Sequence, residues 1–151
     1  SYRDIVESAC KYDPKARISG VSVHEMAPPG VELIVGVSSD PTFGPIISAG
    51  IGGIHVEVLR DIAHRVAPID ESQALDMLHE LRAFPILEGV RGMPPCDIEA
   101  IVATIVRLSW FAHDLRSLIS EVDINPLCVL EKGHGVSILD AMIVLHPKGD
   151  V

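Results

Sequence analysis

The chain has 151 residues, a hydrophobic share of 48% and a formal net charge of -9. That apolar share is enough for one compact core, so we expect a single domain over residues 1–151. Only 12 lysines and arginines are present, and they are not clustered, which argues against a nucleic-acid partner. No apolar run approaches the roughly 20 residues that cross a bilayer, and no signal-like stretch follows Ser1. We therefore expect a cytoplasmic protein that binds neither nucleic acid nor membrane.

The cysteines give no sign of a metal site or a disulfide framework. Cys10, Cys96 and Cys128 are an odd number, far apart in the sequence, and form no Cys-x-x-Cys or Cys/His spacing. We predict that all three are reduced thiols in the core.

The first half of the chain is predicted to be mostly sheet. Apolar residues at helical spacing predict a leading helix over residues 2–12, which Asp13 and Pro14 end. Runs rich in β-branched residues then predict strands over residues 18–26 and 31–37, separated by a turn with two prolines and a glycine. Further strands are predicted over residues 45–49, 54–59 and 62–67, and the glycines at 50–53 interrupt this series.

The second half adds two helices and a hairpin. Asp70 is a candidate cap for a helix that runs to about residue 84, and Asp97 for a longer helix with an apolar stripe. Residues 122–130 and 136–145 form a strand pattern around the turn at 132–135. The expected fold class is α/β (α+β), with helices packed against a largely antiparallel sheet.

Two carboxylates and an amide in the closing hairpin suggest a cation site. Asp123 and Asn125 are two residues apart, so in an extended strand they point to the same face, and the returning strand carries Asp140. A carboxylate in an apolar strand is costly unless it is paired or binds a metal, and oxygen ligands of this kind suit Mg²⁺. An equally simple explanation is that Asp140 accepts backbone hydrogen bonds at a strand end and that residues 123–126 form a turn.

The glycine-rich segment at residues 50–53 has two explanations. Backbone N–H groups beside Gly52 and Gly53 could approach a phosphate, because glycine permits the dihedral angles of an anion-binding nest. The segment lacks the lysine and serine or threonine of a P-loop and opens no helix, so the Walker and dinucleotide motifs are both absent. Without other residues, a turn or bulge is the favoured explanation.

Other polar residues are compatible with a ligand site, but simpler explanations are favoured for them. Alternation places Glu32 and Glu57 on the face opposite their apolar neighbours, where solvent exposure is the default and a nucleotide cleft is the sharper alternative. No neighbour in the sequence fixes the tautomer or the pKa of His55, His64 or His113. For these histidines, structural or surface roles are favoured over that of a nucleophile.

Several motifs occur in one order along nearly the whole chain. They are ISGVSVHEM (18–26), GVELIVGV (30–37), DPTFGP (40–45), GGIHVEV (52–58), GVRG (89–92) and DINPL (123–127). Together they resemble the ATP-grasp region of ADP-forming acyl-CoA synthetases. The resemblance implies the C-terminal subdomain of an ATP-grasp fold that binds ATP or ADP with Mg²⁺.

The resemblance also implies roles for particular residues. Residues 24–26 would form a hinge strand that meets adenine. The implied nucleotide-binding residues are Glu25, Met26, Glu32, Gly52, Gly53 and Glu57. The implied Mg²⁺ ligands are Asp123, Asn125 and Asp140, the same three residues that strand geometry suggests. No residue of this chain is expected to be catalytic in itself.

The implied enzyme is an acid-thiol ligase that interconverts acyl-CoA, ADP and phosphate with the free acid, CoA and ATP through a phosphohistidine. The resemblance places that histidine, the CoA-binding domains and a lysine-bearing half of the ATP-grasp domain outside the residues seen here. We therefore expect a fragment of a larger, oligomeric enzyme whose isolated activity is low, because phosphoryl transfer depends on such cations and on positioning. His55 departs from the aromatic or apolar residue usual in the family.

Two other functions stay open on the sequence alone. The same domain occurs in synthetase-like protein N-acyltransferases, where it would act as a regulatory sensor. It could also be a non-catalytic assembly subunit whose sheet docks a partner.

Overall fold

The computed structural model describes residues 1–52, 61–90 and 92–147. The helices in these residues are α1 (Tyr2–Tyr12), α2 (Glu71–His79) and α3 (Ile98–Asp114), with a short 3-10 turn at Phe84–Ile86. The strands are β1 (Val31–Asp40), β2 (Gly44–Ile51), β3 (Ile62–Val66), β4 (Ile119–Val129), β5 (Val136–Ile138) and β6 (Ala141–Leu145).

The six described strands form one antiparallel sheet. The order is β3-β2-β1-β4-β5, and β6 pairs with the other end of the same edge of β4. Alternate residues of β1 and β2 are apolar and buried, which is the pattern of a sheet covered on one face. The predicted fold class, helices against a largely antiparallel sheet, is confirmed.

Helices α2 and α3 cover one face of the sheet. Leu33, Val35 and Ile47 point to this face and are fully buried, as are Ile101 and Ile105 of α3. These residues belong to one continuous hydrophobic core. We call the opposite side, turned away from α2 and α3, the outer face of the sheet. Its polar and glycine positions are those that lie between the buried apolar residues along each strand.

Both predicted helix caps are present, but α2 ends earlier than predicted. The Asp70 carboxylate accepts a hydrogen bond from Gln73 N, and that of Asp97 from Ala100 N. The predicted helix continues to about residue 84, whereas α2 ends at His79. The buried carboxylate of Asp61 accepts hydrogen bonds from the backbone N–H groups of residues 82 and 83, which therefore do not continue the helix.

The strand predicted over residues 18–26 is not formed. Residues 16–30 contain neither helix nor strand, and Val23 and Met26 are 95% and 89% exposed. A strand needs a neighbour that satisfies its backbone groups, and the described residues supply none here. The predicted leading helix is confirmed as α1, although none of its residues is buried. The predicted strand at 54–59 lies outside the described residues.

The glycine-rich segment at 50–53 was expected to interrupt the series of strands, and β2 ends within it, two residues later than the strand predicted over residues 45–49. One prediction about strand continuity was wrong. Residues 136–145 were expected to form one strand, but residues 139 and 140 separate β5 from β6. Pro126 lies opposite this interruption and has no N–H to donate, which removes one hydrogen bond from the ladder.

The cysteines differ in part from the prediction. Cys96 and Cys128 are buried free thiols, as expected, whereas Cys10 is exposed on α1. In the described part of the chain, every helix is too short or too polar to cross a membrane.

Candidate functional site

A row of small and acidic residues crosses the middle of the outer face. Ser48 of β2 lies opposite Gly36 of β1, and Gly36 lies opposite Asp123 of β4. These three residues line a shallow cavity of about 190 Å³. Because Gly36 has no side chain, the sheet is left open between the hydroxyl on one side and the carboxylate on the other. The arrangement can receive a ligand that lies flat across β1.

The three predicted metal ligands come together at one end of the β4–β6 pairing. Ile124 lies opposite Ala141 and Leu127 opposite Ile138, so the register brings Asn125 opposite Asp140. A hydrogen bond from Asn125 N to Asp140 O, 3.1 Å long, joins the two backbones directly. Asp123 is the next outward-facing residue of β4. The observed register therefore places the backbones of Asn125 and Asp140 side by side, two residues along β4 from Asp123.

The donor set fits a hydrated Mg²⁺ ion better than a closed protein cage. Asp123 is partly exposed, and Asn125 and Asp140 are exposed. The described residues hold no cluster of three His, Cys, Asp or Glu side chains suited to a metal. Two carboxylates and an amide are compatible with Mg²⁺, which keeps several waters and takes further oxygens from phosphates. The simpler explanation of Asp140 also has support, since its Oδ1 accepts a hydrogen bond from Ala141 N at the start of β6.

Glu32 lies on the outer face beside the end of β2. It is exposed, as predicted, and lies opposite Cys128 of β4. Burial raises the pKa of the Cys128 thiol, and the negative charge of Glu32 raises it further. Gly52 N donates a hydrogen bond of 2.6 Å to Glu32 O. Glu32 and Gly52 are therefore held together, which was not evident from their separation in the sequence.

Gly50 and Gly52 allow close contact with neighbouring backbone. A Cβ atom at Gly52 would lie 2.9 Å from Glu32 O, and one at Gly50 would lie 2.8 Å from Asp61 O. Neither glycine has a positive φ. Gly53 and Glu57, the other predicted residues of this region, lie outside the described residues, as does His55.

Glu25 and Met26 are not part of the sheet. Both are exposed, and they lie in the segment without helix or strand that precedes β1. Near the end of this segment, Pro28 O accepts a weak hydrogen bond from the Cys128 thiol, with a distance of 3.6 Å to Sγ. The described structure therefore brings together the backbones of Glu32 and Gly52, and those of Asn125 and Asp140, but leaves Glu25 and Met26 outside the sheet.

Two outer-face features were missed by the sequence analysis. Glu121 of β4 precedes Asp123 on the same face, and the alternation of residues 121–124 could have revealed it. His64 has a partner after all, because its Nδ1 atom lies 2.8 Å from Ser48 Oγ. That contact depends on the register of β2 with β3, in which Ser48 lies opposite His64.

The largest cavity found among the described residues does not coincide with the candidate site. It has a volume of about 550 Å³, lies where α2 and α3 begin, and is lined by Glu71, Leu75, Ile98 and Glu99 among others. Volume alone does not identify a ligand site. The outer-face cavity is smaller, but it adjoins the predicted metal ligands and the glycines.

Comparisons with known proteins identify the family of the chain. Residues 1–145 match the sequence profile of a family described as ATP-grasp domain. The chain is 46% identical over 144 residues to the beta subunit of acetate–CoA ligase [ADP-forming] II from Pyrococcus furiosus, covering 95% of this chain and 61% of that subunit. It is 44% identical over 145 residues to 4-hydroxybutyrate–CoA ligase [ADP-forming] from Nitrosopumilus maritimus, covering 96% of this chain and 21% of that protein. The chain thus spans less than two thirds of these relatives.

Solved structures also resemble this chain in both fold and sequence. A protein of Pyrococcus horikoshii OT3 superposes with a TM-score of 0.83 at 46% identity, over 97% of this chain and 61% of that chain. Acetyl-coenzyme A synthetase 1 of Ca. Korarchaeum cryptofilum, in complex with coenzyme A and Mg-AMPPCP, superposes with a TM-score of 0.76 at 44% identity, over 81% and 56%. Its phosphohistidine segment points towards the nucleotide binding site. With the profile match over residues 1–145, these likenesses show that the chain belongs to the ATP-grasp domain family.

Proposed function

We propose that this chain is the nucleotide- and Mg²⁺-binding part of an ADP-forming acyl-CoA synthetase. In that reaction acyl-CoA, ADP and phosphate are interconverted with the carboxylate, CoA and ATP, and a histidine carried elsewhere is phosphorylated in between. The observation that carries the proposal is the meeting of Asn125 and Asp140 across β4 and β6, beside Asp123 on the outer face. The relatives supply the enzyme class, since they are ADP-forming ligases.

Asp123, Asn125 and Asp140 would hold Mg²⁺ through their side-chain oxygens. Bound there, the ion would neutralise and orient phosphate oxygens, which is its usual contribution to phosphoryl transfer. The acidic outer face makes a cation necessary, because Glu32, Glu121 and Asp123 would otherwise repel a polyphosphate. In the described residues, none of these carboxylates forms a salt bridge.

The nucleotide would lie across the outer face of β1 and β2. Glu32 and Gly52 are adjacent there, and Gly53 and Glu57 follow Gly52 in the sequence. Glu25 and Met26 would meet the adenine ring from the segment that precedes β1. This role requires that segment to pack beside the sheet. The chain's own part is then to bind and orient the nucleotide, not to carry the phosphoryl group.

The unpartnered elements at the start of the chain support a larger protein. No residue of α1 is buried, although Ile5, Val6 and Ala9 form an apolar stripe, and residues 18–26 form no strand in the described structure. An isolated short amphipathic helix is marginally stable in water. We propose that both elements pack on the remaining half of the ATP-grasp domain, and that CoA-binding domains and further subunits complete an oligomeric enzyme. The chain alone would then have little activity.

Calorimetric titration of Mg²⁺-ATP and Mg²⁺-ADP tests the proposal. The titration uses this chain and a chimera in which the chain replaces the matching 144 residues of the Pyrococcus furiosus subunit. We expect the chimera to bind both nucleotides, and EDTA to weaken binding strongly. Asp140→Asn should lower the affinity at least tenfold while it keeps an oxygen for Ala141 N.

The matched control is Asp114→Asn, which removes an exposed carboxylate at the end of α3. This variant should bind as the wild type does. If neither protein binds either nucleotide, the nucleotide site is wrong and the chain is better explained as an assembly subunit. Binding that is unchanged in Asp140→Asn would instead remove Asp140 from the metal site.

A further inference from the structure

His64 and Ser48 form a hydrogen-bonded pair on the outer face. The two residues lie opposite each other in β2 and β3, and Ser48 Oγ is 2.8 Å from His64 Nδ1. Their side chains share the face of Gly36 and Asp123, because Ser48 lies opposite Gly36 and Gly36 opposite Asp123. His64, Ser48, Gly36 and Asp123 therefore form one row across four adjacent strands.

The pair leaves the other ring nitrogen of His64 as a donor in two of the three protonation forms of the ring; in the third, Nδ1–H donates to Ser48 Oγ and Nε2 is an acceptor. When the imidazole is neutral with hydrogen on Nε2, the Ser48 hydroxyl donates to Nδ1. When the imidazole is protonated, Nδ1–H donates to Ser48 Oγ, and Nε2–H is again free to donate. The side chain of His64 is exposed, which leaves that nitrogen accessible with respect to the described residues. Ser48 thus orients a donor toward the same face as the carboxylates.

The charges on the outer face suggest a role for the hydrogen-bonded pair of Ser48 and His64. At the described outer-face positions of β1 to β4, the acidic residues are Glu32, Asp40, Glu121 and Asp123, and His64 is the one side chain that can carry a positive charge. Arg65, the other basic residue of these strands, points to the helix-covered side, where it pairs with Glu80 of the segment after α2. Three strand spacings of about 4.8 Å separate His64 from Asp123, or roughly 14 Å in all.

We propose that His64, positioned by Ser48, donates from Nε2 to a phosphate oxygen of the nucleotide on the outer face. This inference rests on the proposed function and adds a residue that contacts the ligand from the β3 side. The carboxylates need a cation between them and a phosphate, whereas His64 reaches phosphate directly. The open position at Gly36 gives the phosphate chain room between the two ends of the row.

The test compares adenosine, ADP, ATP and inorganic phosphate by calorimetry on the chimera, in the wild type and in His64→Phe. Phenylalanine keeps a planar ring in the strand and removes both nitrogens. We expect an affinity loss of about tenfold for ADP and ATP, as for one charge-assisted hydrogen bond, and no change for adenosine. His64→Gln, whose amide retains a donor, should lose less. Inorganic phosphate should bind weakly and equally to the wild type and to His64→Phe. That result would show that His64 contacts the phosphate of a bound nucleotide and does not bind free phosphate.

Ser48 is tested by rescue and by spectroscopy. Ser48→Ala should lower ADP affinity in the same direction, and Ser48→Thr, which keeps the hydroxyl, should restore it. In ¹⁵N-labelled protein, ADP should shift the Nε2 signal of His64 more than the Nδ1 signal. Thermal unfolding of each variant verifies that the sheet is intact.

The experiments distinguish a failure of the proposed function from a failure of the inference about His64. A wild-type chimera that binds no nucleotide overturns the proposed function and this inference together. A wild type that binds ADP, with equal binding by His64→Phe and unmoved His64 ring signals, overturns the inference alone.

Discussion

Asp97 joins the beginning of α3 to Gly135, the residue that precedes β5. Its Oδ2 atom accepts hydrogen bonds from Gly135 N at 2.8 Å and from Gly133 N at 3.0 Å, while Oδ1 accepts one from Ala100 N. The hydrogen bond from Gly135 makes the largest contribution to a lowered pKa of the Asp97 carboxyl, followed by that from Ala100. One side chain thus caps the longest helix and holds the turn that leads back toward Asp140.

Asp97→Asn should therefore destabilise the protein. An asparagine supplies one acceptor oxygen where Asp97 uses two, so at least one backbone N–H loses its partner. We expect a loss of about 1 to 3 kcal/mol in the free energy of unfolding at pH 7, measured by urea denaturation. Asp114→Asn, at the other end of α3, is the matched control and should change stability little. Equal stability of the two variants would contradict the role of Asp97.

The same bonds make stability depend on pH in a defined direction. Because the pKa of Asp97 is lower in the folded state than in the unfolded state, its contribution is present above the ordinary aspartate pKa of about 4. The contribution disappears as the pH falls through the folded-state pKa. We expect the stability difference between wild type and Asp97→Asn to be constant between pH 5 and pH 7 and to shrink below about pH 4. A difference that grows on acidification would contradict this sign.

Gly50→Ala should destabilise the sheet more than Gly20→Ala. A Cβ atom at Gly50 would lie 2.8 Å from Asp61 O, a backbone atom of the neighbouring segment, whereas one at Gly20 would have no atom within 4 Å. Neither glycine has a positive φ, so the two substitutions differ in contact and not in backbone strain. We expect a loss of about 1 to 3 kcal/mol for Gly50→Ala and none for Gly20→Ala in the same denaturation assay. Similar losses in both would show that glycine flexibility, not close packing, matters at residue 50.

Only one of the three thiols should react quickly in the folded chain. Cys10 is exposed, whereas burial raises the pKa of Cys96 and Cys128 and lowers the fraction of reactive thiolate. We expect a thiol reagent to modify one cysteine rapidly in the native protein and three after denaturation. Cys10→Ser should abolish the rapid reaction. Rapid modification that persists in this variant would mean that the core around Cys96 or Cys128 opens readily.

Trypsin should cut the segment before β1 faster than it cuts α3. Lys15 and Arg17 lie in an exposed segment without helix or strand, and Arg107 is also exposed but lies within α3. The comparison therefore reports backbone order at equal side-chain exposure. We expect cleavage after Lys15 or Arg17 well before cleavage after Arg107, followed by mass spectrometry. In the chimera, cleavage after Arg17 should slow, because residues 18–26 gain a partner. Equal rates in both proteins would argue against that partner.

The features that sequence predicted well are local ones. Helix α3 follows from a cap at Asp97 and an apolar stripe, both of which lie within one stretch of chain. The strand at 18–26 was predicted wrongly, because β-branched residues favour an extended chain but do not provide the neighbouring strand that it needs. The early end of α2 depends on Asp61, about 20 residues away, whose carboxylate takes the backbone N–H groups that would continue the helix.

In the candidate site, too, some features follow from the local sequence and others depend on the register between strands. The spacing of Asp123 and Asn125 predicts that they share a face of the strand, because strand alternation is local. That Asn125 lies opposite Asp140 depends on the register of β4 with β6, and the pairing of Ser48 with His64 on that of β2 with β3. A register of this kind is set by side chains from several strands at once. Pro126 was the one readable sign of the break between β5 and β6, since a proline cannot donate to a ladder.

Strand β6 has a consequence for handling the protein. Its residues Met142, Ile143 and Leu145 are each more than half exposed, and in the described residues β6 pairs with β4 alone. The strand is uncharged from Ala141 to Leu145, so its unpaired edge carries no lysine or proline to discourage a further strand. Another copy of the chain can extend the sheet by hydrogen bonding along this edge. We expect concentrated samples to self-associate there, and Ile143→Lys to keep them monomeric without weakening nucleotide binding.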